Sequence, residues 1–249
     1  MESLPLWLPV LFFVIAAFYA SVGFGGGSSY LAILALIGLS YTVIPQMALV
    51  CNLVVSAGGV WHFHRAGHLD WRRMAPFVVL SVPLAYLGGR IPVSRDVFFA
   101  LLGASLLVAG LRMFLPMRRE GIWSGIAERT AWLIGLPVGA VLGFLAGLVG
   151  IGGGIFLAPV LVLTGWMDAR RAAATAAAFI FVNSAAGLAG QLGKGLHLDL
   201  MVLPLVVAVL IGGQLGSRMG AYRIPVGGVR RLLAGLIVVV SVRILSGLV

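Results

Sequence analysis

Two glycine runs hold the pattern best suited to chemistry in this sequence, Val22-Gly23-Phe24-Gly25-Gly26-Gly27-Ser28-Ser29 and Val149-Gly150-Ile151-Gly152-Gly153-Gly154. Each lies between apolar segments. Glycine is about 1 kcal/mol poorer than alanine inside a helix and accepts positive φ, so each run is expected to end one helix and open another. A helix start points unpaired N–H groups outward and resembles about half a positive charge, which suits an anion. With no Cβ in the way, a ligand can reach the backbone. Gly25, Gly26, Gly27, Ser28, Gly152, Gly153 and Gly154 are therefore candidate contacts for a small anion. The competing reading gives these glycines only a packing role between helices.

Uncharged donors lie nearby in sequence. Gln46, Asn52, Thr175 and Asn183 join the candidate site, with Ser56, Ser184 and Gln191 as companions. Each taken alone is equally well explained as an interhelical hydrogen bond. Gln46 aligns opposite Thr175, whereas Asn52 and Asn183 fall about a turn apart, so a site built from them is asymmetric.

The charged residues point the same way. Glu2, Asp70, Asp96, Glu120, Glu128, Asp168 and Asp199 are the only carboxylates, and all fall at a terminus or in a connection. A desolvated cation needs a counter-charge at depth, and carriers accept about 2.5 to 3.5 kcal/mol to place one there. A metal, sodium or polyamine substrate is therefore disfavoured, as is a carboxylate proton relay. His62 and His64 would point about 200° apart on a helix, so with His68 they read as interfacial residues and not as a zinc site. Ser28 or Ser29 as the nucleophile of an intramembrane enzyme would need a base, and no histidine falls deep in a segment. Cys51 is alone and reads as packing. No cofactor and no metal is expected.

Long apolar elements must position these residues. The chain has 249 residues, 61% hydrophobic and 10% charged, so lipid is the solvent for most of its surface. Its net charge of +10 sits in short gaps between apolar segments, which fits positive-inside topology better than nucleic-acid binding. The first residues lack the basic region and cleavage site of a signal peptide, so the first segment is read as mature structure. Trp7, Trp61, Trp71, Trp123, Trp132 and Trp166 mostly fall near helix ends, as interfacial belt residues do.

Helices are expected over 6–22, 28–39, 43–64, 74–89 and 97–114, then over 131–149, 155–163 and 171–192. Gly195-Leu196-His197-Leu198-Asp199 echoes Gly67-His68-Leu69-Asp70, and Leu215-Gly216-Ser217-Arg218 echoes Leu87-Gly88-Gly89-Arg90. With the glycine runs, this makes three matches in one order, an internal duplication. The halves divide as a first repeat over 1–115, a cytoplasmic linker over 116–129 and a second repeat over 130–249.

The heavier basic loop follows the third helix in the first half and the fourth in the second, so the repeats are inverted. With both termini outside, the cytoplasmic side collects thirteen of the seventeen Lys and Arg: Arg65, Arg72, Arg73, Arg112, Arg118, Arg119, Arg129, Arg170, Arg171, Arg218, Arg223, Arg230 and Arg231. Arg90, Arg95, Lys194 and Arg243 fall outside.

The duplicated Gly-hydrophobic-Gly-Gly-Gly turn, the short apolar helix after it, the small-residue third helix and the Gly-His-Leu-Asp-Trp connection resemble the sulfite exporter TauE/SafE family of bacterial membrane proteins. The resemblance covers nearly the whole chain. It implies movement of sulfite, organosulfonates or related sulfur-containing anions across the cytoplasmic membrane, generally outward. Where the family often has a Gly-Thr-Ser-like start to its third helix, this chain has Gln46-Met47-Ala48 and Thr175-Ala176.

The expectation is thus an all-α polytopic membrane protein of two inverted repeats, about five helical segments each with glycine-broken first helices, and 8 to 10 transmembrane segments. It is read as an inner-membrane secondary transporter working by alternating access, with a small anion and the lipid bilayer as its partners and no nucleic acid. An anion channel is the alternative, followed by an intramembrane enzyme or an interaction scaffold.

Overall fold

A computed structural model of the chain describes residues 5–114, 128–163, 166–195, 202–222, 238–239, 241–242 and 244–247. Among these residues the structure is helical: α1 (Trp7–Ser21), α2 (Gly27–Leu36), α3 (Ile44–Arg65), α4 (Trp71–Arg90), α5 (Arg95–Phe114), α6 (Glu128–Val149), α7 (Gly154–Leu163), α8 (Ala169–Leu192) and α9 (Leu203–Tyr222). Four helices, α3, α6, α8 and α9, are long and apolar enough to cross a bilayer. The linker over 116–129, apart from residues 128 and 129, lies outside the described residues. So do Arg118, Arg119, Trp123, His197, Asp199, Arg223, Arg230, Arg231, Arg243 and most of the fifth segment of the second half.

Helix boundaries follow local chemistry. α4 begins three residues before the expected 74, because the Asp70 side chain accepts the backbone N–H groups of Arg72 and Arg73 at 3.1 and 3.2 Å. Asp168 caps α8 in the same way, accepting from Arg170 and Arg171 at 3.0 Å each. Both starts thus share an Asp-x-Arg-Arg signal. Asp70→Ala or Asp168→Ala should cost about 1 kcal/mol each, read as a lower thermal unfolding midpoint in detergent with transport retained.

Packing contacts give the directions of the helices. Gly212, Gly216 and Gly220 of α9 lie on the backbone carbonyls of Phe13, Ala17 and Ser21, so α1 and α9 run parallel. Gly139, Gly143 and Gly147 of α6 lie on the carbonyls of Phe77, Ser81 and Ala85, so α4 and α6 run parallel as well. Glycine every fourth residue permits this backbone-on-backbone approach. α3 and α8 are antiparallel: Gln46 reaches Gly195 near one end, Gly59 meets Ala177 further along, and Phe63 clusters with Ala173 and Ala174 near the other.

α8 in turn runs with α4, since Phe77 shares a cluster with Phe179 and Tyr86 meets Gly190, and α9 runs with α3, since Val55 meets Gly213 and Phe63 shares a cluster with Ala221. In the first half α1 and α3 therefore oppose α4. In the second half α6 and α8 oppose α9, with every direction reversed. The repeats are inverted.

The packing also interleaves them. The first helix of each half pairs with the fourth helix of the other, and α3 and α8 are the main contact between two bodies, α1 with α2, α3 and α9, and α4 with α6, α7 and α8. Each body draws helices from both halves.

The ends of the bundle differ in charge. The starts of α4, α6 and α8 and the ends of α3 and α9 share one side, which gathers Arg65, Arg72, Arg73, Arg129, Arg170, Arg171 and Arg218. The opposite side has Arg90, Arg95 and Lys194. α1 buries Leu8, Phe12, Ile15 and Tyr19 and exposes Val10, Val14 and Phe18, and α9 exposes Val207, Leu210, Ile211, Leu215 and Met219. These outward apolar stripes are what lipid covers.

Candidate functional site

The glycines that end and open helices in the two turns are matched, Gly23 by Gly150 and Gly26 by Gly153, whereas Gly152 is left-handed and its counterpart Gly25 is not. Gly23, at φ 79°, ends α1: its N–H bonds Ala20 O at 3.1 Å while Phe24 N–H bonds Tyr19 O at 2.9 Å, the paired closure of a Schellman motif. Gly150, at φ 87°, ends α6 with its N–H on Ala146 O at 2.9 Å. Gly26, at φ 87°, precedes α2, and its carbonyl accepts from Ser29 and Tyr30 at 3.0 Å. Gly153, at φ 74°, precedes α7, and its carbonyl accepts from Phe156 and Leu157 at 3.1 and 3.3 Å. A left-handed residue turns the chain sharply at each point, so α2 folds back along α1, where Tyr30 stacks on Phe12 at 4.5 Å.

The two turns meet. A Cβ at Gly25 would run into Asn52 Oδ1 and stand 3.2 Å from Ile180 Cγ2. One at Gly27 would run into the Asn52 amide, and one at Gly152 would stand 3.0 Å from Asn52 Nδ2, 3.1 Å from Ile180 Cγ2 and 3.5 Å from Ser184 Oγ. Gly154 also lies on Ile180. Asn52 and Ile180 sit near the middle of α3 and α8, and both are fully or almost fully buried. The result is a cradle midway along the central antiparallel pair, walled by both turns, with the starts of α2 and α7 entering it.

Polar groups gather on the first turn. Ser28 and Ser29 donate to the Tyr19 hydroxyl at 3.3 and 2.9 Å. The matching positions of the second turn are Ile155 and Phe156, and Gly153 faces the ring of Phe179. The cradle is asymmetric, as the offset of Asn52 and Asn183 implies.

Two amides have fixed orientations. Asn52 Nδ2 donates to the Gly150 carbonyl at 3.4 Å and Asn183 Nδ2 to the Phe179 carbonyl at 2.8 Å. A carbonyl only accepts, so each amide nitrogen must face it and each Oδ1 must face away. Both Oδ1 atoms, together with Tyr30 Oη and Ser184 Oγ, are buried and lack a hydrogen-bond partner among the described residues. An unpaired buried polar atom costs about 1 to 3 kcal/mol, so the three beside the turns, on Asn52, Tyr30 and Ser184, call for an explanation.

Of the residues expected at the site, the structure brings Gly25, Gly27, Gly152, Gly154 and Asn52 together, with Gly26, Gly153 and Ser28 completing the turns. Asn183 stands one helical turn from Phe179 and Ile180. Gln46 lies towards one end of the bundle, donating to Gly195 O at 2.9 Å, and Thr175 turns its hydroxyl to Met167 Sδ at 3.2 Å. Ser184, a companion residue in the sequence reading, lies beside Gly152, and Tyr19, Tyr30 and Ile180 enter the site without having been singled out. The two phenols could have been noticed: each lies four residues outside a turn glycine in otherwise apolar sequence. His62 pairs its Nε2 with Gln214 Oε1 at 2.9 Å, and the His64 ring lies 6.1 Å from that of Trp71.

Cavities lie towards both ends of the bundle from the cradle. One, of about 190 Å³, is lined by Thr42, Pro45, Gln46, Gln191 and Lys194 among others. Pro45 also touches Gly150, which places this cavity one wall away from the second turn. Burial pushes the Lys194 pKa down, so its attraction for an anion is full at low pH and fades earlier than that of an exposed lysine as pH rises. The other cavity, of about 700 Å³, opens at the arginine-rich end among His62, Arg65, Arg218, Met219 and Tyr222. A basic mouth at each end and N–H groups between them suit a small anion at every stage of a crossing.

Comparison with known proteins agrees in kind. The profile of the family described as sulfite exporter TauE/SafE matches residues 8–244. Among curated proteins, a probable membrane transporter protein of Sinorhizobium fredii, y4hK, is 35% identical over 246 residues, covering 98% of this chain and 100% of the relative. YunE of Bacillus subtilis, also named a probable membrane transporter protein, is 25% identical over 222 residues, covering 79% and 81% of the two chains. A probable membrane transporter protein of Haemophilus influenzae is 23% identical over 254 residues, covering 92% and 93%. No solved structure matches significantly.

Proposed function

Because the chain belongs to the sulfite exporter TauE/SafE family of membrane transporters, we propose that it carries a small sulfur-containing anion, such as sulfite or an organosulfonate, out across the bacterial cytoplasmic membrane by alternating access. The observation that carries this reading is the meeting of two inverted glycine turns on Asn52, midway along α3 and α8. Short-helix starts provide N–H donors there, and the glycines let an oxyanion reach them. The arginine-rich end is the cytoplasmic one and both termini are outside.

Ser28, Asn52 and Ser184 at the cradle are at most 2% exposed, so this conformation encloses the site. An enclosed site at the midplane favours a carrier over a channel. The motion that opens it is a rocking of the two composite bodies about α3 and α8, and not of the first repeat against the second. The glycine contacts of α1 on α9 and of α6 on α4 tie the sequence repeats together. Transport is also favoured over intramembrane catalysis: the hydroxyls of Ser28 and Ser29 both bond a phenol, which activates neither as a nucleophile.

Flux in proteoliposomes tests the proposal with sulfite, ethanesulfonate, chloride and a divalent cation offered separately. Saturable flux of sulfite or the sulfonate with low turnover is expected. Movement of the cation alone would overturn the anion reading, and unitary currents in a planar bilayer would replace the carrier with a channel.

A further inference from the structure

The turns and the amides around them make opposite demands. N–H groups at the starts of α2 and α7 seek acceptor oxygens. Asn52 Oδ1 and Asn183 Oδ1, fixed as acceptors because their nitrogens are held by the Gly150 and Phe179 carbonyls, seek donors. Asn52 Oδ1 lies against Gly25, inside the cradle. A bare oxyanion would satisfy the first set and be repelled by the second. Tyr30 Oη, beside Gly26, and Ser184 Oγ, beside Gly152, can turn their hydrogens either way and do not decide the matter.

We infer that the cradle selects an oxyanion carrying its own hydrogen-bond donor, a monoprotonated or hydroxyl-bearing anion, whose donor is received by Asn52 Oδ1 while its charged oxygens face the helix starts. This rests on reading the cradle as an anion site and adds a requirement to it. A site that holds a buried acceptor for a ligand hydroxyl discriminates sharply against the analogue lacking it, because the acceptor is then left unpaired.

Ethanesulfonate and 2-hydroxyethanesulfonate share charge and headgroup and differ in one hydroxyl. Titration calorimetry on the purified full chain should show the hydroxylated compound binding more tightly by about tenfold or more. Asn52→Leu, which removes the acceptor at similar volume, should bring the two affinities together. If that variant fails to fold, Asn52→Ala removes the same acceptor with a smaller side chain and should likewise bring the two affinities together.

Equal affinity of the unaltered protein for both sulfonates would overturn the donor requirement and leave the anion site standing. Binding of neither sulfonate nor of sulfite would overturn the anion site itself. Equal binding of both sulfonates only when sodium is present would also overturn the requirement, by assigning the amide oxygens to a cation.

Discussion

Gly25→Ala and Gly27→Ala will each weaken substrate binding by on the order of a hundredfold while leaving the protein folded. Neither glycine has a positive φ, so alanine adds no left-handed strain at either position. The new methyl instead meets the Asn52 amide, a movable side chain, at the point where both turns converge. Displacing that amide removes one long hydrogen bond to Gly150, worth about 1 kcal/mol, and fills the approach to the α2 N–H groups. Hydrogen bonds to a charged group are worth about 1.5 to 3 kcal/mol each, so losing two of them gives the stated factor.

The contrast with the neighbouring residues separates a site from a packing role. Gly26 and Gly153 hold φ of 87° and 74°, where alanine costs about 1 to 2 kcal/mol in the backbone whatever the turn does. Gly26→Ala and Gly153→Ala should therefore lower the unfolding midpoint further than Gly25→Ala and Gly27→Ala, in which the fall in binding is the larger effect. Unchanged affinity in the latter pair would leave these glycines with a packing role only. Calorimetric titration beside thermal unfolding distinguishes the cases.

Much of this arrangement was legible in residue order. The glycine runs announced themselves because each member has a counterpart 127 residues on, and two of these pairs, Gly23 with Gly150 and Gly26 with Gly153, share a backbone duty. Inversion was legible in the arginines, since charge reports the side of the membrane without any knowledge of packing. Helix partners were not. That α1 would lie on α9 and α6 on α4 depends on glycine stripes every fourth residue, which mark a close-packing face without naming its occupant.

The polar side chains divide for a similar reason. Asn52 and Gln46 look alike as buried amides on α3, but six residues separate them, about 9 Å along the axis, and only the middle of the helix meets both turns. Where that middle falls is set by how α3 crosses α8, a tertiary property with no local signature. Thr175 likewise looks available until Met167, brought back by the connection before α8, receives its hydroxyl. Asp70 and Asp168 read from the sequence as loop carboxylates, which is correct for charge, yet each also sets the first turn of a helix.

A disulfide across the central pair will stop transport reversibly if alternating access is the mechanism. Gly59 of α3 would place a Cβ 3.1 Å from that of Ala177 on α8, with nothing else within 4 Å. A disulfide holds its two Cβ atoms about 3.5 to 4.5 Å apart, so Gly59→Cys with Ala177→Cys requires the helices to part only slightly. Cys51 is buried, and replacing it with alanine leaves the new pair as the chain's only thiols.

The link would sit seven residues from Asn52 along α3 and three from Ile180 along α8, about 10 and 5 Å along the two axes, where a rocking of the two bodies displaces the helices more than it does at the pivot. Oxidation should abolish sulfite flux in proteoliposomes, reduction should restore it, and equilibrium binding should persist because neither Gly59 nor Ala177 touches a turn glycine. A channel whose pore ran through the same turns would keep conducting with the helices linked. Flux that survives complete oxidation would therefore remove the rocking mechanism while leaving the anion cradle in place.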